Sequence, residues 1–572
     1  MNNISNLIAV AAGRKPPDLV LKGGRVVNIF SHELLEADIA IADGCIAGIG
    51  SYDGPSTVDV QGNIICPGFI DGHIHLESTM LAPPELARAV LAHGTTAIVA
   101  DPHEIANVMG KQGLRYFLDS AAGLPVDIYF LLPSCVPATH LETSGFSLEA
   151  SDLISFRHEP AVLGLAEVMN YPAVVNGDDQ VLAKIAAFAG AIVDGHAPLL
   201  TGKPLNAYVA AGIRSDHECT ESAEAAEKLR LGMHIMIREG TLAKNMAALL
   251  PLVTPHSLPH FSLVSDDLNP VDLLHHGHLD HLLDLAIAGG LDLISALMMV
   301  TCNTARYFGL KDRGAIAPGY RADLAILSSW QPLHVERVIK NGRLVFADGE
   351  VLYDRKNPEP AAAVNTMNVR PWDPSALAIP WQGCRIRVIE LVTGQLMTKE
   401  IILETAPHSG LLRVEPERDL LKIAVVERHH RTGNIGLGMV RGFNLKRGAI
   451  ASSIAHDSHN IVCVGANDAD MFLAIKTVEA MQGGLAAVAE GEVLARLPLP
   501  IAGLMSMATL REVAGNWDEL KNATQALGCP LAEPFMMLSF LALPVIPKLK
   551  ITDQGLVDVE KFCSVPLFVG DC

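Results

Sequence analysis

The sequence has no closely spaced cysteine pairs. Its ten cysteines are scattered over 572 residues and none forms a Cys-x-x-Cys motif, which excludes the usual signatures of thiolate zinc sites and dithiol redox enzymes. A chain of this length does not need disulfides to stabilise its core. Scattered cysteines are typical of a reducing compartment, so we expect a cytoplasmic protein.

Long apolar runs are missing as well. The longest late run, residues 535–546, contains Pro544 and is well short of the ~20 residues that a membrane-spanning helix needs. The N-terminal run at residues 7–12 is too short for a signal peptide. We therefore expect neither a membrane partner nor secretion. The late run should lie in the core or in a subunit contact of a homo-oligomer, which we expect to be a dimer.

Basic residues are few compared with acidic ones. There are 43 Lys and Arg against 63 Asp and Glu, and the formal net charge is -20. Because this charge repels phosphate backbones, we expect no nucleic-acid partner. The hydrophobic fraction of 49% excludes a disordered chain, and the length predicts about three domains.

Strand-like and helix-like segments alternate through the middle of the chain. Eight strand-like segments end in polar residues: the opening strand before residue 73, then residues 95–100, 126–132, 162–166, 191–193, 211–213, 234–237 and 261–264. The alternation indicates a (β/α)8 TIM-type barrel, whose chemistry lies at the C-terminal strand ends. The alternative, an open doubly wound sheet, needs a Gly-rich phosphate turn where this chain has His-Ile-His.

The predicted fold class is α/β, with further domains around the barrel. Short strands on both sides of the barrel predict a small β-sandwich built from both flanks. After a Pro- and Ala-rich linker near residues 357–363, strands mix with a helix at 468–481, which predicts an additional C-terminal α+β domain. The expected boundaries are 1–66 and 313–356 for the two parts of the small β domain, 67–312 for the metal-dependent barrel, and 372–572 for the C-terminal domain.

Residues 67–77, Pro-Gly-Phe-Ile-Asp-Gly-His-Ile-His-Leu-Glu, stand at the end of the first strand. In a strand, residues two apart project from the same face, so His73 and His75 point together and can share a metal ion. A helix would place them on nearly opposite sides. A bare His-x-His is more often a pair of ordinary histidines, so the interpretation depends on the rest of the chain.

Polar residues at later strand ends supply that context. In a barrel, six side chains would converge on one mouth: His73, His75, Glu167, His196, His217 and Asp266. They suffice for two divalent ions bridged by one carboxylate. Such ions lower the pKa of bound water from about 15.7 to about 7, and Asp266 can accept the water proton and pass it to a leaving amine. The prediction is metal-assisted hydrolysis of a C–N bond.

A second cluster, Asp101, His103 and Glu104, follows the second strand. If the strand continues, Asp101 and His103 share a face and can support the metal site or relay a proton. Asp101 is equally well placed to cap a helix that opens at Glu104. Glu77 and Glu218 each follow a predicted ligand by one or two positions, so each either hydrogen-bonds the substrate or simply charges a loop.

The last region contains Ala-His-Asp-Ser-His-Asn at residues 455–460. His456, Asp457 and His459 are compatible with another metal site, with a lid over the barrel mouth, or with a turn held by its own Asp and Ser side chains. The Gly-rich stretch 432–438 lacks the Lys-Ser/Thr ending of a phosphate-binding P-loop.

Several stretches resemble known families. Residues 67–75 and the closing stretch 314–324, Gly-Ala-Ile-Ala-Pro-Gly-Tyr-Arg-Ala-Asp-Leu, resemble the amidohydrolase superfamily. More narrowly, the chain resembles bacterial adenine deaminases at residues 100–108 (Ala-Asp-Pro-His-Glu-Ile-Ala-Asn-Val), 132–139, 194–198, 237–240 and 451–460. The resemblance spans nearly the whole chain, including the third region, which most amidohydrolases lack.

This resemblance implies hydrolysis of adenine to hypoxanthine and ammonia at a binuclear centre, as in purine salvage. It implies manganese as the metal, with iron or zinc as alternatives. Many binuclear amidohydrolases use a carboxylated lysine on the fourth strand, whereas this chain offers Glu167 as the bridging carboxylate. The chain departs from the family at residues 266–270, where Arg-His is expected before the proline.

The implied mechanism assigns roles to individual residues. A metal-activated hydroxide attacks C6 of adenine, Asp266 accepts its proton, and an acid protonates N1. The candidates for that acid are Asp101, Glu104 and Glu77. The expected substrate contacts are Glu77, Ser134 and His103.

Two other functions are compatible with the sequence. A cyclic-amide hydrolase acting on a dihydropyrimidine or hydantoin ring would use the same metal site. A nucleotide-binding regulatory protein would instead use the Gly-rich third region. Ammonia release from adenine separates the first function from both alternatives.

Overall fold

The computed structural model describes residues 4–353, 365–392 and 395–570, so the linker predicted near residues 357–363 lies outside the described residues. The fold is mixed α/β. It opens with helix α1 (Ile4–Ala11). The next strands are β1 (Leu19–Asn28), β2 (Glu33–Ala42), β3 (Cys45–Gly50), β4 (Thr57–Asp59) and β5 (Ile64–Pro67).

The central region then alternates strands and helices. Its strands are β6 (Phe69–Ile74), β7 (Thr95–Ala100), β8 (Asp127–Leu132), β9 (Val162–Val168), β10 (Ile192–Gly195), β11 (Ser215–Asp216), β12 (His234–Arg238) and β13 (Phe261–Val264). Its helices are α2 (Pro83–Leu91), α3 (His103–Met109), α4 (Lys111–Ala121), α5 (Ala150–Ile154), α6 (Tyr171–Asn176), α7 (Asp179–Ala187), α8 (Gly202–Ala210), α9 (Ser222–Arg230), α10 (Met246–Leu249), α11 (Pro270–His275), α12 (Leu279–Ala288), α13 (Leu293–Met299) and α14 (Cys302–Tyr307).

Local sequence explains where these elements form. Strand β7 is an uninterrupted run of small, apolar and threonine residues, all buried, as expected for a parallel strand covered on both faces. Asp178, Asn269 and Asp292 stand immediately before α7, α11 and α13, and each side chain accepts hydrogen bonds from the first-turn backbone N–H groups. These caps satisfy donors that the helix itself leaves unpaired.

The eight central strands form two parallel sheets, which meet at both edges. One sheet has the order β10-β9-β8-β7-β6 and the other β11-β12-β13. Beyond the end of β13, the Asp266 N–H donates to the His73 carbonyl at 2.9 Å. Between the other two edges, the Arg214 N–H donates to the Val193 carbonyl at 3.1 Å. Hydrogen bonds therefore link the two sheets at both pairs of edges, β6 with the segment after β13 and β10 with the residue before β11.

One predicted strand was misplaced. Residues 211–213 do not form the sixth strand, which is the two-residue β11 instead. The physical reason is that α8 extends into this stretch. The Ala211 N–H still bonds the Ala207 carbonyl at 3.1 Å, and the Gly212 N–H bonds the Val209 carbonyl at 3.0 Å. The chain reaches the strand only after this turn.

Both flanks contribute to one nine-stranded sheet. The later strands are β14 (Leu324–Trp330), β15 (Leu333–Lys340), β16 (Arg343–Ala347) and β17 (Glu350–Val351). The order is β17-β16-β15-β14-β5-β1-β2-β3, with β4 on β1, and antiparallel pairing of β14 with β5 joins the two flanks. Their buried apolar residues pack into a shared core.

The C-terminal region combines sheets with three helices. Its strands are β18 (Arg385–Leu391), β19 (Thr398–Glu404), β20 (Pro407–His408), β21 (Leu411–Leu412), β22 (Leu421–Val426), β23 (Ile435–Arg441), β24 (Ala449–Ser452), β25 (Ile461–Gly465), β26 (Gly484–Ala489), β27 (Glu492–Pro498), β28 (Leu549–Thr552), β29 (Gly555–Asp558) and β30 (Cys563–Ser564). Its helices are α15 (Asp468–Ala480), α16 (Leu510–Ala526) and α17 (Pro534–Phe540). Eight strands form the main sheet, in the order β19-β18-β23-β22-β25-β24-β26-β27.

The C-terminal region packs against the central region near the carboxyl ends of its strands. The Asn460 side chain donates to the Thr143 carbonyl at 2.9 Å, and the Leu510 N–H donates to Glu85 Oε1 at 2.9 Å. The late apolar run begins in α17, where Phe535 and Leu538 are buried, in agreement with its expected place in the core. Among the described helices, none has the length and apolar character needed to cross a membrane.

Candidate metal centre and active site

His73 and His75 lie at the carboxyl end of β6, side by side as the two-residue spacing predicts. Both are buried, and their ring centroids are 4.9 Å apart. His73 is also stacked on His217, which follows β11, with ring centroids 3.9 Å apart. Three imidazoles, two from the end of β6 and one from the end of β11, therefore share one buried space.

Glu167, near the end of β9, connects the two sides of this space. Its Oε1 lies 3.6 Å from His75 Nε2, and its Oε2 lies 3.1 Å from His217 Nε2. The same Oε2 is 2.6 Å from Nδ1 of His196, which follows β10. Each carboxylate oxygen faces a different part of the cluster, which is the arrangement that a bridging ligand requires.

Asp266 follows β13 and closes the ring. Its Oδ1 lies 3.5 Å from His73 Nε2 and 3.3 Å from His75 Nε2. Its backbone adopts φ of 57°, in the left-handed region that Asp tolerates better than most residues. The structure thus brings together the six side chains that we call the primary cluster: His73, His75, Glu167, His196, His217 and Asp266.

Asp101 and His103 lie beside the primary cluster. His103 Nδ1 is 3.2 Å from Asp101 Oδ2 and 3.6 Å from Glu167 Oε1. Asp101 Oδ1 also accepts from the His103 N–H at 3.1 Å, where α3 begins. Asp101 is not the helix cap that one alternative predicted, because the N-cap of α3 is Pro102; one of its oxygens bonds the first residue of the helix, while the other faces the cluster.

The donor atoms suit a cation of intermediate hardness. Among the buried side-chain atoms without a hydrogen-bond partner are His73 Nε2, Asp101 Oδ2 and His103 Nδ1. Buried polar atoms are normally paired, so such atoms facing one another indicate a missing binding partner. Imidazole nitrogens with carboxylate oxygens suit divalent manganese, iron or zinc. The residues present therefore fit a divalent metal centre.

The two carboxylates of the primary cluster are held in their ionised form. Burial works to raise the pKa of Glu167, but His196 and His217 lower it well below its usual range. Burial likewise opposes ionisation of Asp266, while the imidazoles of His73 and His75, 3.5 and 3.3 Å from its Oδ1, lower its pKa well below the usual range. Both are thus available as anionic ligands or proton acceptors.

Glu77 and Glu104 are buried carboxyl groups of a different kind. Burial raises the pKa of Glu77 to about 7, although its Oε1 accepts from the Ile105 N–H at 2.9 Å. Burial and then the nearby Glu77 carboxylate raise the pKa of Glu104 well above its usual range. Glu77 Oε2 and Glu104 Oε1 make no hydrogen bond. Burial thus favours the protonated form of these two carboxyl groups, in contrast to the carboxylates of the primary cluster.

Ser134, a predicted substrate contact, follows β8. Its hydroxyl donates to the backbone carbonyl of Glu167 at 2.5 Å, and its own carbonyl accepts from Lys184 Nζ at 2.8 Å. In this structure the Ser134 side chain therefore bonds the backbone of the strand that carries Glu167.

Sequence reasoning missed a buried arginine in the site. Arg238, the last residue of β12, donates from Nη1 to Asp266 Oδ2 at 2.9 Å and from Nη2 to Glu218 Oε2 at 2.8 Å. Glu218 Oε1 in turn lies 3.7 Å from His196 Nδ1 and from His217 Nε2. The position of Arg238 could have indicated a place in the site, since Arg238 ends a strand in the same way as the predicted ligands do.

The C-terminal region also reaches the site. Asp457 Oδ1 lies 3.6 Å from His103 Nε2, and His456 Nδ1 lies 3.3 Å from Glu104 Oε1. These residues are far from the central strands in sequence, so periodicity gave no means of placing them here.

Comparisons with known proteins cover both regions. The family model for the amidohydrolase family matches residues 64–345, and the model for the adenine deaminase C-terminal domain matches residues 395–563. Adenine deaminase 2 of Carboxydothermus hydrogenoformans is 48% identical over 568 residues, which cover 99% of this chain and 100% of that protein.

Two further relatives give the same result. An adenine deaminase of Desulfatibacillum aliphaticivorans is 50% identical, covering 98% of this chain and 99% of its own. Adenine deaminase 1 of Rhizobium meliloti is 46% identical over 563 residues, again 98% of this chain and 99% of its own. The likeness thus covers nearly the whole chain.

Proposed function

The chain belongs to the adenine deaminase family, and on that premise we propose that it hydrolyses adenine to hypoxanthine and ammonia. The observation that carries the proposal is the primary cluster, in which Glu167 faces His75 with one oxygen and His217 with the other. A chain of amidohydrolase type with buried His and carboxylate donors at successive strand ends is suited to metal-assisted hydrolysis of a C–N bond.

We propose that two divalent ions, of manganese, iron or zinc, are held by the primary cluster with Glu167 shared between them. Ions bound there would lower the pKa of a water molecule from about 15.7 to about 7 and polarise the bond under attack. The buried nitrogen of His73 that lacks a hydrogen-bond partner supports this assignment. Asp101 and His103 are close enough to extend the ligand set.

Asp266 is the proposed proton acceptor. It is buried at the mouth and is held ionised, so it can take a proton from the attacking water and deliver it to the departing amine. The Arg238 guanidinium fixes one carboxylate oxygen at 2.9 Å and leaves the other facing His73 and His75. Water adds at C6, and ammonia leaves from the same carbon: one water proton passes through Asp266 to the departing amine, and the other leaves the C6 hydroxyl and restores the acid that protonates N1.

Glu104 is the proposed donor of a proton to N1 of the ring. Asp101 Oδ2 is directed at His103, and Glu77 uses one oxygen to accept from the Ile105 backbone. All three acids have a buried oxygen without a hydrogen bond, but burial and the nearby Glu77 carboxylate raise the pKa of Glu104 well above its usual range, which makes Glu104 the best suited to carry the proton. Glu77 is assigned to substrate contact.

We further propose that the eight central strands close into a (β/α)8 barrel and that the flanking strands pack as a small β-sandwich. Hydrogen bonds at both edges between the two parallel sheets support the barrel. A core shared by strands of both flanks supports the sandwich. A closed barrel directs the carboxyl ends of all eight strands to one mouth, where the primary cluster lies.

The test is an ammonia-release assay on protein expressed with manganese, using adenine, adenosine, cytosine, guanine, a dihydropyrimidine and a hydantoin. The expected result is release from adenine that depends on the metal. Hydrolysis of a cyclic amide without activity on adenine would support the cyclic-amide alternative. Tight nucleotide binding without ammonia release from any purine would instead support a regulatory protein.

A further inference from the structure

We propose that the C-terminal region completes the active site through one loop, residues 453–460, which positions Glu104 and His103 for the substrate. This inference rests on the proposed deaminase function and assigns a part in it to the third region. The loop connects β24 to β25 and enters the space beside the primary cluster.

Two histidines of the loop face the two oxygens of the Glu104 carboxyl group. His456 Nδ1 lies 3.3 Å from Glu104 Oε1, and His459 Nε2 lies 3.8 Å from Glu104 Oε2. All three side chains are buried, and His459 has no solvent exposure. Each oxygen of the carboxyl group thus faces one imidazole of the loop, so the loop limits the directions that the Glu104 side chain can take.

Asp457, which lies between these histidines in the sequence, faces His103. Asp457 Oδ1 lies 3.6 Å from His103 Nε2, while His103 Nδ1 faces Asp101 at 3.2 Å and Glu167 at 3.6 Å. The imidazole of His103 thus lies between the primary cluster and the loop. Replacing Asp457 would leave His103 Nε2 without this partner. His103 Nδ1 would still face Glu167, the proposed bridging carboxylate.

The loop itself is anchored firmly enough to act as a support. Arg428 is completely buried, and it donates from Nε to the His459 carbonyl and from Nη2 to the Ala502 carbonyl at 3.0 Å. The Arg428 N–H also donates to Asn460 Oδ1 at 3.2 Å, and the Asn460 amide continues to the Thr143 carbonyl at 2.9 Å. The loop is therefore tied to both regions.

Such a support matters because the proposed acid needs a defined direction. Misplacing a catalytic group by about 1 Å can cost ~10²-fold in rate. His456 and His459 are positioning residues in this account, since they act through Glu104 and not on the ring. Removing residues that orient those in contact with metal or substrate typically costs about 10- to 100-fold.

The test compares pairs of variants in the full-length, manganese-loaded enzyme. His456→Leu and His459→Leu remove the nitrogen facing Glu104, so kcat/KM for adenine should fall about 10- to 100-fold, mainly in kcat. His456→Asn and His459→Gln return an amide nitrogen near the position of the lost Nδ1 or Nε2, so they should recover most of the loss. Metal content and the thermal midpoint should stay at wild-type values throughout.

A matched control lies in the same contact between regions. His430 Nε2 is 3.0 Å from the Ser144 carbonyl, and no hydrogen bond or ion pair among the described residues joins His430 to Glu104 or His103. His430→Leu should therefore leave kcat/KM within about twofold of wild type, since exposed substitutions away from a site have small effects.

Four outcomes would overturn the inference. Leucine variants with wild-type kcat/KM would show that the loop does not position the acid, and losses that the amide variants fail to recover, accompanied by a lower thermal midpoint, would show a merely structural role. A third equivalent of manganese that is lost in His459→Leu would make Glu104, His456 and His459 a metal site instead. A wild-type enzyme with bound metal but no ammonia release from adenine would overturn the proposed function itself, and this inference with it.

Discussion

Two buried charged clusters lie at opposite ends of the central strands. The primary cluster occupies the carboxyl ends. At the amino end of β8, Lys340 Nζ donates to Asp127 Oδ2 at 2.6 Å and to Asp323 Oδ2 at 2.7 Å, and Arg313 also donates to Asp127. We call these four residues the amino-end cluster. Its carboxylates are matched by fixed cations, whereas the carboxylates of the primary cluster face imidazoles.

The type of cation beside the carboxylates indicates that the amino-end cluster stabilises the fold and that the primary cluster is the reactive one. Lys and Arg neutralise a buried carboxylate permanently and supply the hydrogen bonds that it needs, so the amino-end cluster is complete as it stands. Imidazoles can release their protons and turn a lone pair to a metal ion, and His73 Nε2 lacks a hydrogen-bond partner. A buried cluster with unpaired donor atoms is therefore the one expected to bind and react.

The largest effect expected at the primary cluster is that of Asp266→Asn. The amide keeps the shape of the side chain but cannot accept the water proton, so kcat should fall roughly 10²–10⁴-fold. Metal content, measured on the purified variant, should remain substantial because the other ligands stay. Near-normal turnover would contradict the assigned role. Asp323→Asn in the amino-end cluster is the matched control and should leave kcat unchanged in folded protein.

Lys340→Met, in the amino-end cluster, should lower stability and leave kcat unchanged. Lys340 and Asp323 are both buried, so the substitution leaves a carboxylate without one of its cations. Breaking a buried pair in this way typically costs about 3–5 kcal/mol. We expect a lower midpoint for the first unfolding transition, with kcat per folded molecule unchanged. Lys340→Arg, which keeps the charge, should lose less stability; equal losses would contradict an electrostatic origin.

Added metal should distinguish the two clusters directly. A ligand that binds only the folded state stabilises it by about 2.7 kcal/mol at a hundredfold excess over Kd. Manganese should therefore raise the unfolding midpoint of apo wild type. The rise should persist in Lys340→Met and disappear in a His73→Asn, His75→Asn double variant. A rise retained in the double variant would place the metal elsewhere.

Much of this site could be predicted because its signals are local. His73 and His75 share a face through the two-residue period of a strand, and Glu167 and Asp266 lie at strand ends, where a barrel collects its chemistry. The sixth strand was misplaced for an equally local reason. Ala-Gly-Ile at residues 211–213 is apolar enough for a strand, but the hydrogen bonds of α8 continue through it.

The remaining features depend on contacts between distant segments. Glu104 meets His456 only because the C-terminal region packs over the carboxyl ends of the strands, and no periodicity in either segment encodes that contact. Arg238 occupies a strand end, yet its role is set by its partners Asp266 and Glu218, which follow other strands. Local patterns predict the elements and the direction of side chains, while packing decides the partners.

The smallest expected effect concerns Lys550, a buried lysine that belongs to neither cluster. Lys550 in β28 has no solvent exposure, and its Nζ donates to the Leu396 carbonyl at 2.9 Å and the Phe540 carbonyl at 3.0 Å. No carboxylate among the described residues forms an ion pair with it. Burial therefore lowers the pKa of Lys550 to about 7.

This pKa makes stability depend on pH with a definite sign. Between about pH 7 and pH 10 the unfolded chain holds a proton on Lys550 that the folded chain has released, so stability should rise with pH, by at most about 1.4 kcal/mol per unit. Lys550→Met should remove that rise, whereas Lys548→Met, at an exposed lysine 3.4 Å from Glu560, should keep it. Parallel pH curves for wild type and Lys550→Met would mean that the buried amine keeps its proton. A buried charge would then persist without the paired carboxylates that stabilise the amino-end cluster.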